Sequence, residues 1–132
     1  MNQLIAVAML VLISTSAAAQ TAWINIAKSN EGIWDAQPGS LEFSKTKGDI
    51  FIAVVVGRIT DPKTSKISLY KWYVSASDCK AKMGKVVTLD ISGEYKFEND
   101  FVFGSGSIAT SMAELICGAA DYAISEKSKK SL

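Results

Sequence analysis

The chain has 132 residues, 48% of them hydrophobic, with 14 basic side chains against 13 acidic ones and no histidine. The near-neutral balance gives no electrostatic footprint for nucleic acid or for a strongly acidic substrate. Without histidine there can be no Ser-His or Cys-His nucleophile pair and no imidazole metal site.

In chain order, the first segment reads as an export signal rather than as part of the fold. Leu4 to Ile13 is an unbroken apolar run, followed by Ser14-Thr15-Ser16 and Ala17-Ala18-Ala19. Small residues after a hydrophobic stretch of about ten residues match a signal peptide, and the stretch falls short of the roughly 20 needed to span a bilayer. The competing reading is a buried N-terminal helix. Cleavage between Ala19 and Gln20 would leave one mature domain over residues 20–132, a length suited to a single core. No cysteine follows the apolar run to accept a lipid, and no second long apolar stretch occurs. The mature protein is therefore expected to be soluble, periplasmic or secreted, with no stable membrane anchor.

Short β-like runs follow. Thr21 to Ala27 and Ile33 to Asp35 are separated by a Lys28–Gly32 turn, and Pro38-Gly39-Ser40 precedes the alternating Leu41-Glu42-Phe43. Ile50 to Val56 (IFIAVVV) is continuously apolar and rich in β-branched residues. Such a run predicts a central strand covered on both faces. Beyond the Asp61-Pro62 break, Ile67 to Ser77 reads as one long strand running toward Cys79. Alternation puts Tyr70 and Trp72 on one face of it, with Lys71 and Tyr73 on the other. Lys80–Gly84 reads as a turn, Val86–Asp90 as a strand, and Tyr95–Phe103 as a last extended segment of period two.

From Ser107 to about Ser125 the period changes. Ile108, Met112, Leu115, Ala119 and Tyr122 recur at helical spacing, Ile116, Ala109 and Ala123 widen the stripe, and Ser107 is placed to act as N-cap. The expected fold is α+β: an antiparallel sheet of about five or six strands with one C-terminal helix packed on it. Lys127, Lys129 and Lys130 read as a solvated tail.

The two cysteines, Cys79 and Cys117, admit one intramolecular pairing. In an oxidising compartment an even pair reads as a disulfide, and two thiolates without histidine are half a zinc site at best. The bridge would tether the helix to the sheet.

Sites of catalysis are hard to find. Ser77-Asp78-Cys79-Lys80 fits the S-x-x-K pattern but sits beside the expected disulfide. Gly104-Ser105-Gly106-Ser107 leads into a helix, yet lacks the lysine of a P-loop and the dinucleotide fingerprint. Glu94, Glu98 and Asp100 have neither the regular spacing of a calcium loop nor an opposed carboxylate across a cleft. No cofactor, metal ligand set or catalytic residue is assigned, and the chain is expected not to be an enzyme. The chain has three tryptophans and four tyrosines, and with Trp23, Trp34, Trp72, Tyr70 and Tyr73 on strands a single helix could leave an aromatic-bearing sheet face open for recognition. Lys71 and Tyr73 are the candidate binding surface.

The overall pattern resembles the surface-adhesin protein E-like family of small exported bacterial proteins. The resemblance rests on the Trp23-Ile24 strand, Asp35 with Ser40-Leu41, Ile50 to Gly57, Asp78-Cys79, Gly84 before a strand, and Ala113-Glu114-Leu115-Ile116-Cys117 in the helix. It implies a disulfide-tethered helix on an antiparallel sheet, with Cys79 and Cys117 as the matching pair. It also implies dimerisation and adhesin-like binding of host plasma or matrix proteins, although this chain lacks the adhesin's lipid-attachment cysteine. The functional expectation is thus an exported, non-enzymatic protein-binding domain. The alternative is a periplasmic inhibitor or immunity protein against a bacterial hydrolase or toxin, using the Asp61-Pro62 or Gly104-Ser105-Gly106 turn. A structural role in the envelope is a third reading.

Overall fold

The IFIAVVV run, from Phe51 on, forms the first part of β4, the longest strand of the sheet. The structure, a computed structural model, describes residues 22–130. The expected export signal and the Ala19–Gln20 cleavage site lie outside the described residues. The elements are β1 (Ile24–Lys28), β2 (Ile33–Ala36), β3 (Glu42–Lys45), β4 (Phe51–Thr60), β5 (Ile67–Ser75), α1 (Ala76–Ala81), β6 (Met83–Asp90), β7 (Tyr95–Val102) and α2 (Ile108–Lys130).

All strands pair antiparallel in one sheet, in the order β1-β2-β4-β5-β6-β7, with β3 also paired to β4. The sheet therefore has seven strands, not five or six. The difference arises at the Pro38-Gly39 break. It divides one neighbour of β4 into two short strands laid end to end, β2 against Gly57–Thr60 and β3 against Phe51–Val54. Ser40 bridges the break: its hydroxyl donates to the Gln37 carbonyl at 2.8 Å and accepts the Val56 N–H at 3.0 Å. β4 also runs on past Gly57, where the sequence reading ended it, as far as Thr60.

α2 packs on one face of the sheet. Ala53, Val55, Trp72, Val74, Val86 and Phe101 form the sheet side of the core, and Met112, Ala113, Ile116, Cys117 and Ala120 form the helix side. The expected stripe is displaced by one residue position at its centre. Ala113 and Ile116 are fully buried, whereas Tyr122, expected on the stripe, is 69% exposed. The small side chains Ala113 and Ala120 let the helix axis approach the sheet there, and Trp72 fills the space behind it. The helix begins as expected: the Ser107 hydroxyl accepts the Thr110 N–H at 3.1 Å, capping the first turn. It continues to Lys130, so the lysine-rich end belongs to the helix and is not a separate tail.

A second correction concerns Cys79. The long strand predicted through Ser77 stops at Ser75, and the next six residues form α1. Ser75 caps it by accepting the Asp78 N–H at 3.1 Å, and Lys82 closes it in the left-handed conformation with φ 61°. Gly84, two residues on, has φ 154°, and a Cβ there would collide with the Asp78 carboxylate. That carboxylate accepts the Lys85 N–H at 3.1 Å, fixing α1 to the start of β6. Cys79 thus stands on a helix, and its disulfide to Cys117 joins α1 to α2 with a Cα–Cα distance of 5.5 Å. The loop it closes spans a sequence separation of 38, which by chain entropy stabilises the fold by about 4 kcal/mol.

Candidate functional surface

The two helices pack on the same side of the sheet as Trp72 and Val74, and alternation turns Lys71 and Tyr73 to the opposite side. Among the described residues no helix or strand lies over that second face. Two cross-strand rows run across it. One is Val54–Tyr73–Val87–Glu98, and the other is Val56–Lys71–Leu89–Tyr95. The first three members of each row make a mostly apolar centre interrupted by one ammonium and one phenol. β4 is therefore central, as expected; on the face away from α2 its Val54 and Val56 are half-buried and Ile52 is buried.

Charged groups border this centre on both sides. Toward β2, the Arg58 guanidinium donates to the Asp35 carboxylate at 3.0 Å and lies 4.4 Å from the centre of the Trp23 ring. Asp35 is buried, and its other oxygen accepts from the Asn25 amide at 3.1 Å. Trp23, expected within the first strand, instead precedes β1 and stacks on this arginine. Toward β7, the Lys85 ammonium sits 2.7 Å from Asp100 and 3.3 Å from Glu98. These hydrogen bonds, first to Asp100 and then to Glu98, raise the Lys85 pKa above its ordinary value. The Tyr73 phenol is also held above its usual pKa, mainly by burial and then by the nearby Glu98 charge. It stays a neutral donor at any physiological pH.

The remaining sequence candidates resolve individually. Ser77 and Lys80 do not pair; the Ser77 hydroxyl meets that of Ser75 at 3.2 Å. The glycine-serine turn before α2 is stitched down internally. The Glu114 carboxylate accepts the Gly104 N–H at 3.2 Å, and the buried Thr110 hydroxyl donates to the Val102 carbonyl at 3.0 Å while meeting Ser105 and Ser107. Two members of the acidic cluster, Glu98 and Asp100, are engaged by Lys85, and Glu94 takes part in the β6–β7 turn through its backbone. A cavity of about 390 Å³ near the start of α2 is lined by Trp34, Trp72, Thr88, Phe97 and Asn99, with Asp100 its one titratable group. Among the described residues no cluster of three or more histidine, cysteine or carboxylate side chains could hold a metal ion, and no helix is long and apolar enough to cross a membrane.

Sequence reasoning picked out Lys71 and Tyr73 but missed Val54 and Val56 beside them, because a continuous apolar run reads as covered on both faces. It also missed the Arg58–Asp35 pair, whose partners lie 23 residues apart with no local spacing to connect them. Compared with protein-family models, with curated proteins and with solved structures, the chain matches none.

Proposed function

We propose that this domain is an exported, non-enzymatic protein-binding module that recognises its partner through the sheet face bearing Lys71 and Tyr73. The observation that carries the reading is the pair Val54 and Val56, paired with Tyr73 and Lys71 at the centre of the face turned away from α2. On that face Val54, Val56 and Leu89 are only half-buried while Val87 is buried, and an apolar area bordered by polar groups is characteristic of an interaction surface. The composition of the face is that of a recognition patch: a tyrosine and aliphatic side chains at the centre, with ion pairs at the rim. The sheet is held rigid beneath it by the Trp72 core and by the disulfide, so binding there requires little ordering of the domain.

Adhesin-like recognition of a plasma or matrix glycoprotein is the form of this function suggested by the sequence resemblance. The test is affinity capture with oxidised residues 20–132 as bait, run against plasma and matrix proteins and, separately, against a bacterial periplasmic extract. Capture of a plasma or matrix glycoprotein supports the adhesin reading. Capture of a single hydrolase or toxin replaces it with the inhibitor reading. Self-association of the bait that hides this face identifies a homodimer surface instead.

A further inference from the structure

A second surface, on the helix side of the sheet and apart from Lys71 and Tyr73, carries its own inference. The C-terminal half of α2, α1 and the β3–β4 corner enclose a groove of about 800 Å³. Its apolar walls include Phe43, Phe51, Ala53, Ala120 and Ile124, and the Cys79 end of the disulfide contributes to its lining. Three of these side chains remain largely exposed: Phe43 at 54%, Phe51 at 61% and Ile124 at 58%. Lys80, Lys82 and Lys127 also line the groove, against Asp121 as the one carboxylate. None of the three ammonium groups has a carboxylate partner among the described residues. The lining holds no hydroxyl, amide or indole side chain.

We infer that this groove binds a single-chain anionic amphiphile, with its alkyl chain along Phe43, Phe51 and Ile124 and its headgroup among Lys80, Lys82 and Lys127. The volume falls within the range of about 300–1,000 Å³ typical of small-molecule sites. An alkyl chain brings no polar groups to satisfy, which suits walls without hydrogen-bonding side chains, whereas a peptide backbone laid there would lose its water without replacement. The lysines supply what a headgroup requires: unpaired positive charge on flexible stems that themselves cover apolar surface. The groove lies on the side of the sheet opposite the proposed protein-binding face, so the inference stands or falls independently of that reading.

The probe is oleate, titrated calorimetrically into the oxidised protein below its micellar concentration, with oleyl alcohol as the uncharged counterpart. Saturable single-site binding of oleate is expected, with the alcohol about tenfold weaker. The double variant Lys80→Glu/Lys127→Glu should weaken oleate about tenfold while leaving the alcohol unchanged, and Ile124→Ser should weaken both. These positions are exposed, and unchanged thermal unfolding of each variant verifies that the fold is kept. Equal binding of oleate and alcohol, no saturable binding, or binding indifferent to these substitutions overturns the inference. So does association only with vesicles of mixed phosphatidylglycerol and phosphatidylcholine, which makes the lysines a membrane-contact patch. Self-association dispersed by Ile124→Ser without oleate binding overturns it too, and makes the groove an interface between copies.

Discussion

The indole of Trp72 on β5 lies directly against the backbone of Gly57 on β4, occupying the space in which any other residue at position 57 would place its Cβ. Gly57 sits in the middle of the longest strand, where glycine ordinarily weakens a sheet for want of a side chain to pack. Here the missing side chain is supplied from the neighbouring strand, and it is the largest fully buried one in the protein. The contact lies on the side of the sheet where Val55, Trp72, Val74 and Val86 pack against α2, and alternation turns Lys71 and Tyr73 to the other side.

Gly57→Ala should therefore destabilise the fold by about 1–3 kcal/mol, the usual cost of overpacking, against the small gain alanine brings through the unfolded chain. Urea unfolding measures it. A neutral or stabilising outcome would mean that Trp72 can move aside.

Breaking the disulfide should cost about 2–5 kcal/mol. Cys79→Ala and Cys117→Ala are expected to lower the melting temperature to a similar degree, and reductant should do the same to the native protein while leaving either variant unaffected. Equal melting temperatures for oxidised native protein and the Cys79→Ala variant would contradict a bridge between α1 and α2.

Thr110 is 2% exposed, and its hydroxyl connects the first turn of α2 to the end of β7 through the Val102 carbonyl. Thr110→Val keeps the shape and removes the hydroxyl's bonds to the Val102 N–H and carbonyl and to Ser105 and Ser107; the carbonyl retains the Ser105 N–H at 3.1 Å, while the Val102 N–H loses its acceptor. The expected loss is about 1–3 kcal/mol, read by denaturant unfolding, while Thr110→Ser should retain most of the stability. An equal loss in the two variants would assign the effect to packing and not to the hydroxyl.

Two groups give a pH dependence of known sign. The Asp90 carboxyl is held below its ordinary pKa, first by the Ser92 hydroxyl and then by the Glu94 N–H in the β6–β7 turn. Its contribution is complete above the unfolded-state value of about 3.9 and is lost as pH falls through the lower folded value. Asp90→Asn should flatten the acid side of the stability profile. Tyr73 behaves oppositely: burial and then Glu98 raise its pKa, so its contribution is present below about pH 10 and is lost as pH rises through the folded value. The difference in alkaline absorbance titration between the native protein and Tyr73→Phe should show a phenol ionising above the ordinary tyrosine range, and Glu98→Gln should bring it down.

Much of this architecture is legible in the sequence, and the failures have physical causes. The period change at Ser107 locates α2, and the even cysteine pair anticipates the bridge. Cys79 is placed on a strand because Ile67–Ser77 is rich in β-formers; the helical turn at Ala76 depends on the Ser75 cap and the left-handed Lys82, which periodicity does not register. The helix stripe is misjudged at Tyr122 because hydropathy counts a tyrosine as core, whereas at about 100° per residue Tyr122 falls on the side of α2 opposite the fully buried Ala113 and is left in solvent. The open face is half legible. Alternation separates Lys71 and Tyr73 from Trp72, but which side the helix covers depends on the packing of Ala53, Val55, Trp72 and Val86 against α2, which is made only in the folded chain. The lysine-bordered groove was invisible, since its walls come from β3, β4, α1 and α2 and meet only in the folded chain.

The central claim is that the face bearing Lys71 and Tyr73 is where a partner protein binds. Its most direct test is the affinity capture described above, repeated with the double variant Lys71→Glu/Tyr73→Ser after its melting temperature has been shown to match that of the native protein to within the loss of one half-buried tyrosine. The account predicts that the partner retained by the native domain is lost by this variant and kept by Lys80→Glu/Lys127→Glu. Undiminished capture by Lys71→Glu/Tyr73→Ser would contradict it and place the binding surface elsewhere.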